Sequence, residues 1–453
     1  MRQASRNAST QREDGYALLV VMVLVSAMLI MGTGFFSLVS SEVRGSQNQL
    51  DSERAFWLAE AGKERALRFL STLPIPPAND FAVYVDETGP DGGTYSVNCL
   101  VDTTAAWQAE KAFVLDSVGR SGNAERRVRQ WVKMTAFSQY AMFTHEESNG
   151  QYDLWYISGD EVEGMLHSNG TYHLYGDPVF HGRITSSSDH IVAYPNRSVS
   201  DMGDWPVGGN DPYFGGGVEL NVPVIPMPTS LPDLRSLAMF SGVYSGTDTE
   251  IELGVSGNAM PTVAPGWLRY REHGTTDPWT SVEIVGLTNP IFYSEGDVHI
   301  QGVLDGELTV ASHRNINIDD DVLYYGSDAS GAPPVDCDDL LGLVAERNVI
   351  ISDTPANGTD CRINGVLMAL DTSISVENYD SGSPRGTLSI WGGLIQKYRG
   401  PVGQTRGGTV IHGYVKGYHY DARVTARTPP SYPLTGVYEK LAWEETWDAT
   451  NPF

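Results

Sequence analysis

GYALLVVMVLVSAMLIMGTGFFSLVSS, residues 15–41, contains no charged side chain. At about 1.5 Å of rise per residue, a helix of this length exceeds the ~30 Å of hydrocarbon in a bilayer. A short polar segment with Arg2, Arg6 and Arg12 precedes it, partly offset by Glu13 and Asp14, and the far side opens with Glu42. Lysine and arginine collect on the cytoplasmic flank of a span. The reading is therefore a single-pass inner-membrane anchor, with the rest of the chain in the periplasm or on an extracellular filament. A cleaved secretory signal fits less well, because its apolar core is usually about 7–15 residues and ends at a small-residue site. Here the span runs straight on into a helical pattern.

Beyond the span, Ala55, Leu58, Ala59, Gly62, Ala66 and Phe69 recur at steps of three and four, giving one narrow face of small and apolar groups. Ala55, Ala59, Gly62 and Ala66 are the expected packing positions, where another helix or a sheet can approach closely. Glu53, Glu60, Lys63, Glu64, Arg65 and Arg68 fall largely on the other side and read as a solvated face. Pro74, Pro76 and Pro77 end the helix.

The period then changes to two. TYSVNCLVD from Thr94, FVLDSVGRSG from Phe113 and RRVRQWVKM from Arg126 alternate apolar and polar residues, and the turn sequence from Gly119 to Asn123 joins the last two. Residues 76–137 read as a small antiparallel sheet with a hairpin. The remainder, 138–453, carries a short repeat: VHIQGVL from Val298, CRINGVL from Cys361 and LSIWGGL from Leu388, with a weaker copy, YHLYGDP, from Tyr172. Alternating residues followed by a glycine bend suit the corner of a coiled parallel solenoid. The irregular spacing also admits a β-sandwich with bulged strands; the solenoid is the favoured reading. The fold class is α+β, with a long N-terminal helix, a small sheet and a large β domain.

The 453 residues are more than one ordinary domain needs, and a net charge of −26 disfavours nucleic acid and anionic membrane surfaces as partners. His167, His173 and His181 lie near Asp177 and Asp189 in sequence, but without the close spacing of a zinc motif. Asp319, Asp320 and Asp321, with Asp336, Asp338 and Asp339, lack the spaced loop that holds calcium. No nucleophile elbow, phosphate loop or dinucleotide fingerprint is present. The expectation is no catalytic residue, no metal and no cofactor. Cys337 and Cys361 are separated by about one coil of a solenoid and form a possible disulfide outside the cytoplasm, leaving Cys99 over.

Gly15 followed by Tyr16, at the border of the polar leader and the span, resembles the processing site of type IV pilin-like proteins. With the segment AFWLAEAG, residues 55–62, the first seventy residues resemble the N-terminal domain of the PilX class of pilus assembly proteins. The resemblance implies a leader over 1–15 cut between Gly15 and Tyr16, a membrane and assembly helix over 16–75, and a head sheet on which the end of that helix packs. One departure is Val20, where such helices commonly carry glutamate, and this points to a minor rather than a major subunit. GTLSIWGGLIQKYRGPVG from Gly386 and EGMLHSNGTYHLYGDPVFHGRITS from Glu163 resemble the extracytoplasmic parts of large pilus-associated proteins. The implied function is assembly of a type IV pilus or related pseudopilus, with other pilin-like subunits as partners. The alternative is a pilin-anchored adhesin whose β domain holds a surface or glycan.

Overall fold

The computed structural model describes residues 13–73, 77, 79–90, 92–101, 112–254, 265–406 and 409–446. The α+β layout holds: a helix from Glu13 to Leu70 is followed by a chain that is mostly strand. The described residues divide into two compact units, one of residues 13–101, 112–132 and 440–446, the other of residues 133–439.

In the first unit the sheet runs in the order Phe81–Thr88, Thr94–Val101, Ala112–Ser121, Ala124–Ala136 and Leu434–Thr446. The first three strands are antiparallel neighbours. The end of the helix lies on this sheet through the expected stripe: Ala55, Ala59 and Ala66 are fully buried. Small groups meet small groups there. A Cβ on Gly119 would collide with the backbone of Ala55 and Ala59, and one on Gly62 would meet the ring of Tyr95. The Ser117 hydroxyl donates to the Ala59 carbonyl at 2.7 Å, which fixes the register of helix on strand.

Two expectations are corrected in this unit. Lys63 is not on a solvated face; it is buried, its ammonium bonded to Glu60 at 2.7 Å. The large β domain does not run to residue 453, because the C-terminal strand Leu434–Thr446 completes the small sheet. Its residues explain the corrected lysine: Trp443 donates to Glu60 at 2.8 Å and Lys440 pairs with Glu64 at 2.7 Å, so the helix flank is covered. A strand some three hundred positions away in sequence leaves no local signal.

The second unit is a three-sided coil of parallel rungs, so the solenoid reading holds over the sandwich. On its first side the ladder runs Val243–Ser245, Ile291–Ser294, Glu307–Ser312, Leu340–Ala345, residues 366–369 and residues 394–398. It continues, still parallel, through Tyr140–Glu146, Met165–Ser168, Ile184–Ser186 and Val218–Glu219. The chain thus enters the coil in its middle. It winds to one end by residue 219, returns to the opposite end, and winds back until residues 394–398 meet the strand at 140–146.

The return is a strap over residues 220–242 that includes the helix Pro232–Ser241. Ile225, Leu231, Leu234 and Ala238 are buried against the outer surface of the first side, among Phe143, Tyr293, Leu340, Val344 and Met368. Hydrogen bonds locate it at several points: Ile225 N to Asn169 at 2.9 Å, Leu231 N to Glu346 at 2.8 Å, and Arg235 to Glu295 at 2.5 Å. Inside the coil the filling is largely aliphatic, with Ile251, Ile300, Ile318, Ile351, Ile363 and Ile390 among the buried residues.

The short repeat marks corners, but two different ones. CRINGVL and LSIWGGL stack residue on residue, Cys361 over Leu388 and Gly365 over Gly392, and both bend from the third side to the first. Gly365 and Gly392 have φ of +141° and +158°, and a Cβ on Gly392 would overlap the Gly365 carbonyl, so only glycine fits there. VHIQGVL bends one corner earlier, at Gly302, between the second and third sides.

The expected bridge is not formed: Cys99, Cys337 and Cys361 are all free thiols. Cys361 points into the aliphatic interior, whereas Cys337 sits in the loop before Leu340 with its sulfur 3.5 Å from the Asp339 carboxylate. Burial drives the Cys361 thiol far above its ordinary pKa and raises that of Cys337.

Candidate functional site

The helix Glu13–Leu70 divides by its partners. Its C-terminal third is covered by the head sheet, while from Leu18 to Leu38 most of the large apolar side chains are more than half exposed. It is long and apolar enough to cross a membrane. Tyr16 stands at the start of this exposed stretch, 76 % exposed, and Gly15 lies within the same helix. Ala55, Ala59, Gly62 and Ala66, by contrast, face the chain's own sheet and leave no open stripe for a second subunit.

The histidines and carboxylates do not converge. His167 lies on the first side, stacked on Phe143 at 5.0 Å and bonded to Thr185 and Asn169. His173 is on the second side beside Asp153, and His181 on the third with Glu161 at 2.6 Å. Asp177 and Asp189 are exposed, the latter paired with His190. Asp319 accepts from His299 at 2.8 Å and Ser352 at 2.6 Å. Burial acts to raise its pKa, but these two partners hold it below the usual carboxylate value. Asp320 accepts from the Asp321 backbone N–H, and Asp321 pairs with Arg362. Asp339 takes the Gly306 and Tyr325 backbone N–H groups, while Asp336 and Asp338 face solvent. Among the described residues no three histidine, cysteine or acidic side chains are grouped as a metal requires.

The sequence reading missed a charged cluster where the two windings of the coil meet. Arg399, after the last strand of the returning winding, donates from its backbone to Ser148 at 2.8 Å and from its guanidinium to Glu147 at 3.2 Å. It also lies over the Tyr156 ring at 4.1 Å. Both Arg399 and Glu147 are buried. Burial works against the Arg399 charge, but Tyr156 and Glu147 more than offset it and keep the guanidinium protonated. Lys416 reaches the same place, its ammonium 3.7 Å from Asp160. Burial lowers its pKa and Arg399 adds to that, against the pull of Asp160. The cluster borders a cavity of about 330 Å³ lined also by Glu161, Glu163 and Tyr418. No local pattern signals it, because Glu147 and Arg399 are brought together only by the order of stacking.

A protein-family profile described as a domain of unknown function (DUF4900) matches residues 106–188, a stretch that contains the first rungs of the coil. No curated protein matches the sequence. Among solved structures, the competence-associated pilin ComZ from Thermus thermophilus is similar, with 14 % identity and a TM-score of 0.29, covering 87 % of this chain and 97 % of that one.

Proposed function

We propose that this protein is a membrane-anchored, pilin-like minor subunit for a type IV pilus or related pseudopilus, with its β units on the extracytoplasmic side. What supports the reading is the division of the helix. One end is already packed on the chain's own head, and the other presents an apolar surface all round, which needs lipid or the helices of other copies to cover it. The helix rests in the bilayer first and exchanges lipid for helix contacts on assembly. N-terminal sequencing of filament-associated protein tests this: the chain begins at Tyr16 if the leader is cut after Gly15, and recovery of Met1 from filaments overturns the leader assignment. Retention of the protein in membranes with no crosslink to pilin-like neighbours overturns the assembly role.

A second reading, a glycan-holding module carried on the same anchor, is favoured by a row of rings on the second side of the coil. Tyr175 and Tyr194 are 51 % and 49 % exposed, with centroids 4.6 Å apart, and Trp155 lies 5.8 Å from Tyr194. Half-exposed aromatic rings on successive rungs offer flat apolar faces to sugar rings. Replacing Tyr175 and Tyr194 with alanine should abolish retention on surface polysaccharide if these rings hold it.

A further inference from the structure

Buried charge is rare in this coil except at the junction of its two windings. Other rungs are filled by isoleucine, leucine and valine, and a buried ion pair seldom adds more stability than the aliphatic groups that could replace it. The charges at the junction therefore call for a role other than filling. They also stand beside open space. Two chambers, of about 330 and 170 Å³, share one wall made of Met142, Arg399, Lys416 and Tyr418.

The chambers differ in character. Asp160, Glu161 and Glu163 line the first. The lining of the second, among the described residues, holds Asn149, Trp155 and Gln396 and no carboxylate. The Lys416 side chain keeps 45 % exposure, and its nearest anion is too far for a hydrogen bond. Two cations thus face the acid-free chamber, and Arg399 and Lys416 disfavour one another's charge there. An anion placed between them would relieve that repulsion. Amide donors and acceptors suit hydroxyl groups, and Trp155, which also belongs to the exposed row of rings, supplies an apolar wall at the chamber's edge.

We propose that this chamber binds an acidic sugar, with the carboxylate of a uronic acid residue on Lys416 and Arg399 and its hydroxyls on Asn149 and Gln396. The proposal rests on the glycan-holding reading and names the class of sugar. Galacturonate and galactose, titrated by calorimetry against the detergent-solubilised full chain, test it. Galacturonate should bind at least about tenfold more tightly than galactose, and Lys416→Met should remove that preference while leaving the unfolding temperature unchanged. Lys416→Arg should retain it. Equal binding of the two sugars, or a preference untouched by Lys416→Met, overturns the acidic class while the glycan-holding reading stands. Absence of galacturonate binding overturns the site itself, and retention on polysaccharide through Tyr175 and Tyr194 then decides the broader reading separately.

Discussion

The two windings of the coil share a direction but differ in how they hold together. The returning winding, from Val243 to Tyr420, has strands of up to 15 residues and sides filled by aliphatic groups with no accessible surface. The first winding, from Tyr140 to Glu219, makes most of its rungs from strands of two to four residues. It relies on Tyr156, Tyr172 and Phe180 for its interior. Short rungs give few ladder bonds, so the first winding depends on its neighbours: residues 394–398 beneath it and the strap across its face. A coil can thus be continuous in space while its stability is concentrated in one part of the chain.

The sharpest way to break the comparison is at a corner of the stronger winding. Gly392→Val places a branched side chain at φ +158°, against the Gly365 carbonyl. The expected loss exceeds about 4 kcal/mol, enough to unfold the coil, because backbone overlap cannot be relieved by a rotamer change. Gly358→Ala, which has open space around its Cβ, should stay within about 0.5 kcal/mol. Urea unfolding of the two variants checks the pair, and equal midpoints would show that the corner is not a close contact.

The junction is next. Arg399→Met leaves Glu147 buried without its cation, which costs about 3–5 kcal/mol. Adding Glu147→Gln should recover part of it, because the second change removes the unpaired charge. The expected signature is selective: proteolysis should begin between residues 140 and 219 while the returning winding stays protected. Uniform loss of protection in both windings would mean that the coil unfolds as one unit.

The strap gives a smaller effect. Leu234 is 4 % exposed and packs among the aliphatic groups of the first side, whereas Phe240 on the same helix is 90 % exposed. Leu234→Ala should cost about 2–4 kcal/mol and Phe240→Ala less than about 0.5 kcal/mol, both read from urea midpoints. Similar values for both would show that the helix is not held by that face.

These positions also show what could be read before the structure. The exposed span and the Ala55, Ala59, Gly62, Ala66 stripe follow from local period, so the helix and its packed face were legible, although the surface that covers the stripe was taken to be open. The glycine corners were legible as a repeat, yet the motif could not tell which corner each copy turned, since Gly302 and Gly365 share the same flanking pattern. What escaped is non-local. The pairing of Leu394 with Met142 and the burial of Lys63 under Trp443 depend on which strands become neighbours, and alternation along one strand does not specify its partner. The cysteines failed for a related reason: their separation matched a coil, but a loop rather than a rung carries Cys337.

The smallest predicted effect concerns acidity at the strap. His167 is 1 % exposed, and its partner Asn169 also accepts from Ile225 N and donates to the Ile225 carbonyl at 2.8 Å. Burial lowers the His167 pKa, with the Asn169 hydrogen bond opposing it, so the folded chain keeps the ring neutral at a pH where the unfolded chain has begun to protonate it. The stability that His167 contributes is therefore complete above the ordinary histidine range of about 6.5 and is lost as pH falls below it, levelling off once the folded ring titrates as well. The urea midpoint should fall between pH 7.5 and pH 5.5, and His167→Gln should flatten that fall. A variant that keeps the full pH dependence would assign it to groups elsewhere and remove His167 from the hold on the strap.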